Sequence, residues 1–172
     1  RLRQNSRQRC YYCKTKIFGA LKKEARRLGI GTVVDGTTAS DLNEHRPGRA
    51  ALEKLNIDSP LRDAGFSGAE IAGQLRKLGV DAYFLTSSTC LATRFPYDFT
   101  LEPLRIQAIG QTEHFLIRQG IFPLRVRHMT DGIRIETSPI HFRKIIAMKE
   151  KIIAECRAAG YRFITLDLSG IK

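Results

Sequence analysis

The chain has 172 residues, of which 42% are hydrophobic and 27% charged, and this excludes a disordered or fibrous chain. Its 29 Lys plus Arg outnumber its 17 Asp plus Glu to give a formal charge of +12, so its expected partners are anionic: nucleotides, phosphorylated metabolites or RNA. No apolar run approaches the roughly 18 residues of a membrane span, and the basic opening from Arg1 to Arg9 excludes a secretory signal.

The first residue is Arg1, so the natural protein is expected to start upstream. From Cys13 to Leu28 the spacing of Ile17, Leu21 and Leu28 predicts an amphipathic helix closed by Gly29. Thr32 to Val34 reads as a short buried strand running into Asp35-Gly36-Thr37-Thr38, the kind of strand end where open α/β sheets bind ligands. Residues 41–49 read as loop, Ala50 to Leu55 as a short helix, and Ser59-Pro60-Leu61 as a break. Ser67 is a helix N-cap, followed by Ile71, Leu75 and Leu78 on one face and by Gly79 as the stop. Ala82 to Leu85 then reads as a strand, and Ser87 to Thr93 as a polar loop at the same sheet edge as Asp35.

The composition changes at Phe95-Pro96-Tyr97, which places a boundary there, with modules at 1–97 and 98–172. Thr100 and Pro103 open a helix that runs to Gly120. Two strands, Phe122 to His128 and Gly132 to Thr137, flank the turn Thr130-Asp131-Gly132. A helix from Phe142 to Ala159 and a strand from Tyr161 to Leu168 complete an α+β module.

Four cysteines in a chain without export signals predict reduced thiols or metal ligands and a cytoplasmic setting. Cys10 and Cys13 form a C-x-x-C pair at a helix entrance, compatible with cluster ligation, half of a zinc site, a redox pair or two incidental cysteines. Cys90 lies beside Arg94, whose charge would favour a thiolate, although its spacing equally fits a buried free cysteine; Cys156 falls on the apolar arc of the last helix and reads as core. Asp35, Gly36, Thr37 and Asp41 suit a ribose or Mg²⁺, although D-G-T is also an ordinary turn. Arg125 and Arg127 alternate along one strand and share a face, as paired phosphate ligands would. Arg134 and Glu136 share a face across the hairpin, which fits either that phosphate site or a solvated polar face carrying an ion pair, and Glu113 interrupts a helix where it faces either solvent or that cluster. His114, His128 and His141 show no metal-ligand spacing.

Taken together these segments resemble the LarE family of PP-loop ATP pyrophosphatases. The resemblance rests on Arg9-Cys10-Tyr11-Tyr12-Cys13-Lys14, Asp35-Gly36-Thr37 with Asp41, Arg46-Pro47-Gly48, Ser59-Pro60-Leu61 with Ala64-Gly65, Cys90 to Arg94, Leu124 to Arg127, and Arg134-Ile135-Glu136. It implies the carboxy-terminal part of a PP-loop parallel-sheet domain, α/β in class, followed by the smaller α+β module. It also implies an ATP-dependent sulfur transferase that adenylates a carboxylate of a pyridinium nucleotide and makes a thiocarboxylate for a nickel-pincer cofactor. Cys10, Cys13 and Cys90 would hold a [4Fe-4S] cluster, and Asp35, Gly36, Thr37 and Asp41 would line the site of ATP and Mg²⁺. Arg125, Arg127 and Arg134 would hold substrate phosphate, with Cys90, Arg94, Glu113 and Glu136 at the reacting group.

PP-loop enzymes carry a Ser-Gly-Gly-x-Asp-Ser loop that this sequence lacks, so the resemblance implies that it lies upstream. A homo-oligomer is expected, with neither a membrane nor nucleic acid as partner. The charge and the thiol pair also fit a PP-loop tRNA thiolase. The small substrate is favoured because the basic residues lie partly on helix faces and not among aromatics. A zinc-binding adaptor is the noncatalytic alternative.

Overall fold

The computed structural model describes residues 1–43, 47–80 and 89–171. They fall into two compact units, one of residues 1–2 with 6–88 and one of residues 3–5 with 89–172. The change of pattern at Phe95-Pro96-Tyr97 lies inside the second unit.

In the first unit α1 spans Arg9–Arg27, starting earlier than its apolar spacing suggested, so Cys10 and Cys13 both lie within its opening turns. Residues three apart share a helix face, which sets the two thiols on one side. The helix closes as expected at Gly29, whose positive φ lets Ile30 N–H reach back to Ala25 O at 2.8 Å while Arg26 and Arg27 complement the carbonyl end.

The strand expected at Thr32 to Val34 is reduced to one parallel bridge between Val34 and Asp58, with Asp35 N–H donating to Asp58 O at 2.9 Å. β-branched residues favour extension, but a ladder needs partners, and among the described residues pairing stops at that bridge. A 3₁₀ turn covers Ala39–Asn43 and α2 covers Gly48–Lys54, so both encroach on the expected 41–49 loop. The break at Ser59-Pro60-Leu61 is instead one helical turn, α3, Pro60–Asp63, because proline's fixed φ suits the first helical position.

Helix α4, Gly68–Lys77, starts after Ser67 as expected. Ser67 Oγ accepts from Glu70 N–H at 3.2 Å, and Ser67 N–H donates to the Glu70 carboxylate at 2.8 Å. The apolar stripes are on the predicted helices but only partly covered. Ala25, Ala51, Leu52 and Ile57 are buried, whereas Ile17, Leu21, Leu28 and Leu78 are exposed. The strand expected at Ala82 to Leu85, the start of the Cys90 loop and Arg46 lie outside the described residues.

The second unit carries a continuous core. Helix α5 spans Pro103–Arg118, with Glu102 and not Thr100 at its cap position. β1, Leu124–His128, pairs antiparallel with β2, Gly132–Thr137, which pairs parallel with β3, Phe163–Leu166, in the order β1-β2-β3. A parallel pair needs a crossover. It is supplied by α6, Phe142–Ala147, and α7, Lys149–Ala158, in place of the single helix expected there. The interruption at Met148 leaves Lys149 in solvent while Ile145, Ile152 and Cys156 stay buried.

Ile109 and Leu116 of α5 meet Val126, Ile133 and Ile135 of the sheet and Ile152 and Cys156 of α7. Each fully buried aliphatic side chain contributes about 1.5–3 kcal/mol, so this core holds the sheet in place. β2 and β3 approach closely at Gly132, where a Cβ would run into the Phe163 carbonyl. The protein is mixed α/β, and among the described residues its sheet is this three-stranded mixed one.

Candidate functional site

Alternation along β1 buries Leu124, Val126 and His128 and turns Arg125 and Arg127 to the opposite face. The register sets Arg125 opposite Glu136 and Arg127 opposite Arg134, so the hairpin brings these four side chains to one sheet face, as the spacing predicted. Two guanidiniums directly across a ladder repel. Glu136 answers this with one oxygen: Oε1 accepts from Arg127 Nε at 2.6 Å and from Arg134 Nη2 at 2.7 Å. Asp167, just past β3, lies 3.5 Å from Arg134. Arg127 and Arg134 thus share Glu136, Arg134 also approaches Asp167, and half-buried Arg125 lies on the same face, a cluster of planar cations suited to an anion.

Beside this face stands a 3₁₀ turn, Leu91–Arg94, with Cys90 exposed at its start. Arg127 Nη1 donates to Thr93 O at 3.2 Å, which joins the turn to β1. Arg94 is buried and forks onto Glu113 of α5, its Nε at 2.5 Å from Oε1 and its Nη2 at 3.2 Å from Oε2. Arg94 Nη1 donates to Thr89 Oγ1 at 2.6 Å and to Thr93 Oγ1 at 2.9 Å. Glu113 Oε1 also accepts Val126 N–H at 2.7 Å, a donor on the edge of β1 away from β2. The Arg94 charge is therefore committed to Glu113 and is not held in reserve for the Cys90 thiol.

In the first unit the hub is the Asp35 carboxylate. Oδ2 accepts from Thr37 Oγ1 at 2.6 Å and from Lys14 Nζ at 3.2 Å, and Oδ1 accepts from Ser59 Oγ at 2.7 Å and from Thr37 N–H at 3.2 Å. Burial works to raise the Asp35 pKa, but these hydrogen bonds from Thr37, Ser59 and Lys14 outweigh it and hold the carboxyl below the ordinary aspartate value. Asp41 Oδ2 accepts Thr38 N–H at 2.8 Å and so closes the 3₁₀ turn that follows Gly36. Lys14 directly follows Cys13, and a Cβ on buried Gly48 would meet the Lys14 stem and the Cys10 Cβ. α1 and α2 are thus pressed together beside the thiol pair.

Lys14, Ser59, Thr89, Thr93 and Asp167 were not singled out from the sequence, although the first four lie within or next to motifs that were. Cys156 is core as predicted, and burial pushes its thiol up to about 11. His128 is boxed by Phe95, Phe99 and Tyr161, and His141 sits against the Phe122 carbonyl at 2.8 Å; among the described residues neither belongs to a ligand cluster.

Three curated relatives match nearly the whole chain. A pyridinium-3,5-bisthiocarboxylic acid mononucleotide synthase of Lactiplantibacillus plantarum is 28% identical over 99% of this chain and 62% of its own length. Uncharacterized proteins of Methanocaldococcus jannaschii and Synechocystis are 33% and 30% identical over 96% and 98% of the chain, and over 64% and 63% of their own lengths. The chain therefore spans a little under two thirds of the relatives it matches. No protein-family model matches it.

Cys10 and Cys90 are exposed, Cys13 is half-buried, and none of the three is in a disulfide, so the chain offers accessible thiols of the kind a thiophilic iron group needs. Within either unit, among the described residues, no three His, Cys, Asp or Glu side chains are grouped as ligands. Cys10 and Cys13 belong to the first unit and Cys90 to the second.

Proposed function

We propose that this chain is the cysteine-bearing and phosphate-binding part of a LarE-type sulfur transferase of the PP-loop class, acting in the cytoplasm in nickel-pincer nucleotide synthesis. The observation that carries this reading is the match over 99% of the chain to a relative named as a pyridinium bisthiocarboxylic acid mononucleotide synthase. The substrate class is a phosphorylated pyridinium nucleotide bearing a carboxylate. In the first half-reaction the carboxylate oxygen attacks the α-phosphorus of ATP, pyrophosphate leaves, and an acyl adenylate remains. In the second, sulfide attacks the acyl carbon, the C–O bond to AMP breaks, and a thiocarboxylate results.

The residues divide this work by their chemistry. Asp35, Gly36, Thr37 and Asp41 serve the nucleotide and its Mg²⁺. Arg125, Arg127 and Arg134 hold the substrate phosphate, their planar forks matching its oxygens in a way lysine does not. Arg94 and Glu113 fix the turn that presents Cys90, and Glu136 orients the arginines. Cys10, Cys13 and Cys90 would hold a [4Fe-4S] cluster, which when bound supplies an iron position able to carry an extra sulfide.

The test is Arg127→Ala in the full-length enzyme, titrated with pyridinium-3,5-dicarboxylic acid mononucleotide and separately with ATP. Loss of charge-assisted hydrogen bonds worth roughly 1.5–3 kcal/mol should weaken the mononucleotide about tenfold to a hundredfold and leave ATP unchanged. Equal losses for the two ligands, or a loss for ATP alone, would place the phosphate site elsewhere.

A further inference from the structure

The segment Arg3 to Asn5 belongs to the second unit although the rest of the amino-terminal stretch belongs to the first. Leu101 N–H donates to Arg3 O at 2.6 Å and Asp98 N–H to Asn5 O at 3.2 Å, so the peptide is strapped along residues 98–101. Asn5 itself is completely buried, at 0% exposure, and has a positive φ of 48°. Asparagine tolerates this left-handed region better than most residues. Its side-chain amide nitrogen donates to Pro96 O at 2.7 Å and lies 3.3 Å from both Ala92 O and Phe95 O. These three carbonyls flank Arg94.

Asn5 thus closes the turn from which Arg94 reaches Glu113 and Thr93 O receives Arg127. A side chain with two N–H donors is well suited to gathering three carbonyls; an acceptor in its place would repel them. Its oxygen, by contrast, is buried without a partner among the described residues. That is an unfavourable arrangement, and it persists here because the donor side is fully used.

We infer that Asn5 is a positioning residue for the anion site, acting through the 92–96 turn on Arg94 and Arg127 without touching the ligand. The inference rests on the phosphate-site reading proposed above. Its chemistry is conformational: with the three carbonyls released, the turn relaxes, Thr93 O withdraws from Arg127, and the guanidinium loses the orientation that a phosphate needs.

The experiment compares Asn5→Ala with Leu101→Ala, a control that removes a buried side chain from the same unit. Both are titrated with pyridinium-3,5-dicarboxylic acid mononucleotide, with folding checked by circular dichroism. Asn5→Ala should weaken binding about tenfold, and Leu101→Ala, at comparable loss of stability, should leave it within about twofold. Unchanged binding in folded Asn5→Ala, or equal losses in the two variants, would overturn the inference. Should Asn5→Ala not fold, the side-chain amide resonances of Asn5 in the wild-type protein decide: they should shift on adding the mononucleotide, and constancy at saturation overturns the inference. Arg127→Ala separates the two failures. If Arg127→Ala weakens binding and Asn5→Ala does not, only the role of Asn5 falls; if neither does, or the wild type binds nothing, the site reading falls and this inference with it.

Discussion

Glu113→Gln is the sharpest test of the second unit, because it removes one charge from a nearly dry ion pair while keeping the shape of the side chain. The Arg94 and Glu113 side chains are 5% and 10% exposed, so solvent screening offers little relief to a guanidinium left alone. Removing one partner of a buried pair costs about 3–5 kcal/mol, against about 0–1 kcal/mol for an exposed pair. Glutamine retains an oxygen for Val126 N–H, so the loss should fall at the lower end of the buried range. Glu113→Leu orphans that N–H as well and should add about 1–3 kcal/mol. Arg94→Met combined with Glu113→Leu leaves no buried charge and should therefore be less destabilised than Glu113→Leu alone. Urea unfolding, followed by circular dichroism and by hydrogen exchange at Val126, measures all three together with Arg94→Met alone, which completes the cycle. A loss below about 1 kcal/mol for Glu113→Gln, or strict additivity in the double variant, would refute the assignment of this pair as a buried structural clamp.

Two further outcomes follow from the titrating groups. The folded-state pKa of Asp35 lies below its unfolded value, so its contribution is fully present above the unfolded pKa and is lost as pH falls through the folded one. Acid should accordingly loosen the Lys14–Asp35–Ser59 network, and Asp35→Asn should flatten the acid limb of the first unit's stability; an unaltered limb in urea titrations at several pH values would contradict this. Cys156, buried and raised to about 11, should resist alkylation in the native protein at pH 8, while exposed Cys10 and Cys90 react. Peptide mass mapping after brief iodoacetamide treatment checks this, and comparable modification of Cys156 would show that its part of the core opens readily.

Local chemistry decided much that was legible in advance. Gly29 closes α1 and Ser67 caps α4 because caps depend on a few neighbouring atoms, and the period of two sends Arg125 and Arg127 to one face whatever surrounds them. Cys156 was recognisable as core by the same kind of periodicity. Partnership across long stretches of chain was not legible. Among the described residues the strand pattern at Thr32 to Val34 yields a single bridge, because β propensity favours extension but does not choose a partner. The helix expected from Phe142 to Ala159 divides at Met148, with Ile145 buried before the break and Ile152 and Cys156 after it. Arg94 looked like a charge available to Cys90, and only packing against α5 shows it committed to Glu113. Asn5 gave no signal at all, since a buried asparagine is defined by carbonyls about 90 residues away in the chain. Sequence alone determines what each segment prefers and which way its side chains point; the tertiary structure decides which of the many possible polar partners each buried group meets, because an unpaired one costs too much to keep.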